Sequence, residues 1–263
     1  MDQKELEQLN NVLNLWNILE FDVQNTSPTE EDVEGSDSEF KSQMKMRSYV
    51  RAVFSFIEGV TYSFKQALLV SPRISVLEIE ERVILKEVTV ELDDEGKTKS
   101  RDVFLRTKGN VRFTLEMWQK VHSTSYQIDF GDNNWRIFGQ SIGIRNRIVH
   151  PKSVQDAAVS PLDFATAGLA YSWFSRNSHH LLMDTLTPLQ RELGVTAKEL
   201  ELRRKKIDME HELFSGLFKL VKETKEKGLP FETKGLDKKY AEVEELTEEI
   251  LLLTIKRFEN RKR

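Results

Sequence analysis

The chain has 263 residues, 39% hydrophobic and 31% charged, a balance that suits charged amphipathic helices around a well-packed core with a helical appendage, or two small domains. A formal net charge of -4 excludes binding to nucleic acid by bulk positive charge, so any such contact must be local. The absence of cysteine excludes disulfides, thiolate zinc sites and cysteine nucleophiles. The segment Met1–Glu7 has no apolar signal core, and no window reaches the apolar length that spans a bilayer. The expectation is a cytoplasmic protein without membrane contact.

Residues 1–26 form an N-terminal helical unit, with Leu6, Leu9, Leu13 and Trp16 giving one apolar stripe. The stretch 27–41 opens on Pro28, acids and Gly35, and reads as a solvated acidic linker. A strong helix is predicted from about Ser42 to Leu69, burying Val50, Val53, Phe54, Ile57, Val60 and Phe64 and ending at Ser71-Pro72. A second covers Val76 to Leu85. The period then changes. Val88, Val90 and Leu92 alternate with polar residues, Asp93–Lys97 is turn chemistry, and Val103 and Leu105 alternate again. This predicts a β-hairpin at about 87–107, inserted between helices.

Helix resumes at Val111–Val121, and another runs from about Asn133 to Val149 and stops against Pro151. Ser160-Pro161 reads as an N-cap followed by a first-turn proline; the helix it starts carries Phe164, Leu169, Trp173 and Phe174. Residues 186–263 differ in character. Two charged helices, at 197–227 and 236–259, flank the breaker Gly228-Leu229-Pro230 and suggest an antiparallel helical hairpin. The fold class is therefore an all-α helical bundle with an inserted β-hairpin and a C-terminal helical hairpin.

The stretch that carries chemistry ends the helix before Pro151: Arg145-Asn146-Arg147-Ile148-Val149-His150-Pro151-Lys152. Five residues apart on an unbroken helix, Arg145 and His150 would occupy different faces. Proline makes an unbroken helix at His150 improbable, which lets His150 turn back over the last turn toward Arg145 and Asn146. Imidazole titrates near neutral pH and can move a proton. Guanidinium is always charged and its planar fork fits phosphate. A carboxamide can hold the imidazole or bond a phosphoryl oxygen. Together they suit RNA cleavage by attack of the 2'-hydroxyl on the adjacent phosphorus. On the residues alone, a structural ion pair for Arg145 and a capping role for His150 are the commoner outcome for such a pattern.

This string resembles the motif of the HEPN superfamily (higher eukaryotes and prokaryotes nucleotide-binding domain), in which an Arg and a His stand four to six residues apart and Asn is favoured beside the Arg. Trp135, Trp173-Phe174 and the helix Phe54–Val60 match other family features, and the resemblance covers about residues 42–185. It implies a helical bundle that dimerises so that two motifs form one composite cleft. Arg145 and His150 would then be the catalytic pair of an endoribonuclease and Asn146 their support, in a microbial toxin or antiviral defence effector. A Tyr that some members carry two residues after the His, modified by a partner nucleotidyltransferase, is Lys152 here, which argues against that control. Some members are non-catalytic scaffolds, so the alternative is a dimeric module binding a nucleotide or a partner protein, with the C-terminal hairpin as a docking element.

Further candidates are Glu58, to orient Arg145 across the bundle, and Arg51, Arg147 and Lys152, to contact substrate phosphates. His179-His180 point apart on a helix and lack a metal-binding motif; neither a metal nor another cofactor is expected. Glycine-rich phosphate loops are absent. Trp118, Trp173 and Phe174 are read as core. His211 and the run Arg203–Lys206 are read as solvated helix surface.

Overall fold

The computed structural model describes residues 3–27, 38–189, 195–227 and 237–261. Helix makes up 80% of it, joined by one two-stranded antiparallel hairpin, so the fold is all-α in class. Helix α1 (Gln3–Thr26) lies along α2 (Ser38–Val70). The expected linker at 27–41 falls mostly outside the described residues, but its last part is the first turn of α2. Gly59 of α2 allows the close approach: a Cβ there would stand 2.6 Å from Leu19 Cδ1. Trp16 reaches across α2 to meet Phe56 edge-on, ring centroids 5.0 Å apart.

The single helix expected at Val76–Leu85 is split. A 3-10 turn at Pro72–Val76 is capped by Ser71, and α3 (Ile79–Leu85) starts anew with a capping box between Glu78 and Glu81. Strands β1 (Val88–Leu92) and β2 (Thr98–Asp102) pair in the register Val88↔Asp102 to Leu92↔Thr98. Val103 and Leu105, read as part of the second strand, lie beyond it. The Val103 N–H donates to the Glu87 carbonyl at 2.7 Å, which closes the hairpin one residue past the ladder.

Helix α4 (Thr107–His122) begins one turn earlier than its apolar pattern suggests and stops at Ser123, whose φ of 51° is left-handed. Helix α5 (Asn133–Val149) starts where Asp132 accepts the Trp135 N–H. A short helix α6 (Val154–Ala157) leads to α7 (Pro161–Leu186), opened by a Ser160–Asp163 capping box. Helix α7 is the central rod: Trp173 and Phe174 are buried, Trp173 against Trp135 and Phe138 of α5 and Phe174 against Phe56 of α2. Trp118 is also buried, its indole N–H donating to Thr185 Oγ1 at 3.0 Å.

Helices α8 (Ala197–Lys227) and α9 (Asp237–Arg261) pair with each other, and α8 also packs along α7. Leu200 and Ile207 of α8 join the same core as Leu9, Leu13 and Trp16 of α1. The reading of α8 as a solvated surface needs correction. Glu199, Arg203, Lys206 and Glu210, spaced four, three and four residues apart, are buried against α1 and α7. His211 is half-buried, with Nδ1 3.2 Å from Ser172 Oγ.

Candidate functional site

Helix α5 positions the motif. Its last turn closes with the His150 N–H donating to the Asn146 carbonyl at 3.0 Å, after which His150 leaves helical geometry (φ -125°, ψ 60°) ahead of Pro151. That bond fixes His150 one full turn above Asn146, on the Asn146 side of the helix. No hydrogen bond, ion pair or ring contact among the described residues joins the His150 imidazole to Arg145 or Asn146, so the turn-back expected from Pro151 is met only by the backbone. His150 and Asn146 are both exposed.

Arg145 is held from two sides. Its Nη2 donates to Glu58 Oε1 on α2 at 3.0 Å, and its Nη1 donates to Asn146 Oδ1 at 3.1 Å. Those contacts use two of five guanidinium N–H donors and leave three, including an N–H on each terminal nitrogen. Asn146 thus links the two halves of the motif: its side chain bonds the guanidinium, and its carbonyl holds the histidine backbone. Glu58, expected to reach Arg145 from α2, does pair with it across the bundle.

Arg145 and Glu58 line a groove of about 250 Å³ shared with Tyr62, Leu105, Asn110 and the 88%-exposed Phe104. The groove exists because of the hairpin insertion, which returns its 103–107 segment beside α2. Beneath it, Lys65 is fully buried and pairs with Glu87 at 2.6 Å, and Asn110 Nδ2 donates to the same Glu87 oxygen at 3.3 Å. Burial lowers the Lys65 ammonium pKa, against the pull of Glu87. Glu87 itself sits at φ 55°, a region that costs a side-chain-bearing residue about 1 kcal/mol or more. Lys65, Glu87 and Asn110 escape sequence reasoning because nothing local distinguishes them; only the non-glycine turn at Glu87 marks the place.

The other candidates divide. Arg147 is committed within the chain. Its Nη1 donates to the carbonyls of Gln155, Asp156 and Ala158, and its Nη2 pairs with Asp163 at 3.0 Å. Its guanidinium clips the 150–160 loop to the start of α7, which accounts for it without a substrate. Lys152 is exposed beside the motif, its backbone N–H donating to Asp156. Arg51 is exposed on α2, on the same face as Ser55 and Glu58 and two turns from the latter.

His179 and His180 do not act as a pair. His179 is buried in the core, where burial, then Arg203, holds its pKa well below the ordinary range. His180 stacks on Tyr126 and approaches Asp208 at 3.4 Å. Among the described residues no helix is long and apolar enough to cross a membrane. No family model, curated protein or solved structure matches the chain.

Proposed function

We propose that the chain is an endoribonuclease of HEPN type that needs no metal and works as a homodimer with a composite cleft, in a microbial toxin or antiviral defence setting. The observation that carries this reading is the Glu58–Arg145–Asn146 linkage, which steadies a guanidinium with three N–H donors to spare in the last turns of a helix that ends at an exposed histidine. A steadied cation beside a proton carrier is what phosphodiester transesterification asks for.

In this mechanism a neutral His150 takes the proton of the ribose 2'-hydroxyl as the 2'-oxygen attacks phosphorus. The bond from phosphorus to the 5'-oxygen breaks, and a protonated imidazole delivers a proton to the leaving oxygen. The products are a 2',3'-cyclic phosphate and a 5'-hydroxyl. Arg145 bears the charge that grows on the phosphoryl oxygens. The reaction needs a base and an acid at once, and each chain offers one His150. Two motifs facing each other would supply both, which is the chemical reason for a dimer. Exposed Tyr62 and Phe104 in the Arg145 groove, with exposed Val149 and Val154 beside His150, give that face apolar surface to bury.

Mixing tests the composite cleft. Wild-type protein equilibrated with excess His150→Ala chain should lose cleavage beyond simple dilution, because mixed dimers lack one proton carrier. Loss in strict proportion to dilution would contradict a shared site. One observation also suits the alternative of a non-catalytic scaffold that binds a nucleotide or partner protein: Glu58 already neutralises Arg145 within the chain. That reading expects nucleotide or protein binding without RNA cleavage.

A further inference from the structure

Away from α5, the ends and flanks of α1, α2, α7, α8 and α9 enclose a cavity of about 400 Å³, within the size range of small-ligand sites. Its depth is polar. Glu210 of α8 and Tyr49 of α2 are 5% and 0% exposed, and Glu210 Oε2 and the Tyr49 hydroxyl have no hydrogen-bond partner. The hydroxyl of Tyr171, another lining residue, is likewise unpartnered; buried polar atoms are ordinarily paired, so three orphans on one cavity wall mark a place where something binds.

The charge of the wall selects the ligand. Glu210 shares a single ammonium, that of Lys206, with Glu20: Lys206 Nζ lies 2.9 Å from Glu20 Oε1 and 3.4 Å from Glu210 Oε1. Above about pH 7, where Glu210 is ionised, one cation against two buried carboxylates leaves negative charge facing inward. Tyr171, Phe214 and Tyr240 add aromatic faces, and the exposed Glu244 and Glu248 of α9 stand along the lining. Among the described residues that line the cavity there is no Lys or Arg. Carboxylates combined with aromatic rings recognise organic cations, the rings through their negative faces.

We propose that this cavity binds a linear diamine or polyamine, its inner ammonium donating to Glu210 and Tyr49 and its outer ammonium held by Glu244 and Glu248. An inner ammonium, with three N–H donors, satisfies the orphaned oxygens of Glu210 and Tyr49, keeps one donor for the Tyr171 hydroxyl, and supplies the missing cation. A chain carrying two charges matches an acidic interior and an acidic outer wall joined by apolar and aromatic surface. This site is independent of the ribonuclease reading, since no residue of α5 takes part.

The protonation of Glu210 gives a second signature. Burial raises its pKa to about 7, with Lys206 pulling down and Glu20 pushing up. Tyr49 and Tyr171, whose phenols burial pushes well up, stay neutral, and the remaining facing acids are Glu244 and Glu248. An ammonium binds the ionised carboxylate, so affinity must fall as pH drops through about 7.

The test is calorimetric titration of the full chain with spermidine at pH 8 and physiological salt, with 1,4-butanediol and adenosine monophosphate as neutral and anionic comparators. The expected result is one spermidine per chain, no binding of either comparator, and weaker affinity at pH 6. Glu210→Gln should weaken binding at least about tenfold. If that buried substitution unfolds the chain, the double variant Glu244→Gln/Glu248→Gln, at exposed positions, decides: it should weaken binding several-fold at unchanged melting temperature. No spermidine binding, equal binding of butanediol, multi-site binding abolished by salt, or affinity unchanged in the double variant would each overturn the proposal.

Discussion

Replacing Glu58 by alanine separates what this carboxylate does for Arg145 from what it does for the fold. The pair is only partly shielded, Arg145 being 24% and Glu58 44% exposed, so its stabilising value after solvent screening is about 0.5 kcal/mol. For a chain of this size that is a melting shift of about 1–2 °C. Orientation is worth more. An arginine released from such a contact regains up to about 2 kcal/mol of side-chain entropy that catalysis must then remove again. Even most of that amounts to about a tenfold loss. Glu58→Ala should therefore lower kcat for RNA cleavage about tenfold with almost no change in melting temperature. KM should not rise, because removing an acid from the groove favours a polyanion. Glu58→Gln, which keeps an acceptor at the same reach, should fall between. The assay is steady-state cleavage of a fluorogenic RNA oligonucleotide beside a thermal melt. A raised KM at constant kcat would refute the positioning role, and so would a kcat loss that tracks unfolding.

Other expectations rest on separate observations. Arg147→Ala removes a cation with four acceptors and should cost about 2 kcal/mol, visible in denaturant titration; hydrogen exchange should quicken across 150–160. Gly143 is exposed on α5 and a Cβ there meets nothing within 4 Å, so Gly143→Ala should stabilise by about 0.5–1 kcal/mol. His122 lies tilted against Trp118, and its pKa is lowered from 6.5 to about 4 by burial, then by Arg73. The unfolded chain takes up a proton that the folded chain refuses. Stability contributed by His122 is thus complete above pH 6.5 and is lost as pH falls toward 4, at most on the order of 3 kcal/mol. His122→Gln should flatten that acid slope in denaturant titrations at pH 7 and pH 5. Glu210, shifted the other way, is common to both proteins and cancels in the comparison.

Local signals carried most of the legible fold. Pro151 ends α5 and Ser160-Pro161 opens α7; each restricts backbone torsions or caps a helix, so a reader of sequence sees it directly, while the breaker expected at 228–230 lies outside the described residues. The pairing of Glu58 with Arg145 was legible for a related reason, since both sit on strongly periodic helices. What stayed hidden depends on tertiary contact. Arg147 looked like a phosphate ligand because the carbonyls that claim it come from a loop eight to eleven residues on. The stripe Glu199, Arg203, Lys206 and Glu210 has the same spacing whether it faces water or core. Its one readable clue was alignment with Leu200 and Ile207 on a single helix side. The 3-10 break before α3 was missed because Val76 and Ile79, three residues apart, preserve a helical rhythm across it.

The most direct test of a guanidinium and an imidazole acting together at the end of α5 is RNA cleavage by purified protein in EDTA, with Arg145→Ala and His150→Ala assayed beside it. The expected result is cleavage that persists in the chelator, yields cyclic phosphate and 5'-hydroxyl ends, and disappears in both variants while each remains folded and dimeric. Cleavage that vanishes with the chelator yet survives both substitutions would contradict it.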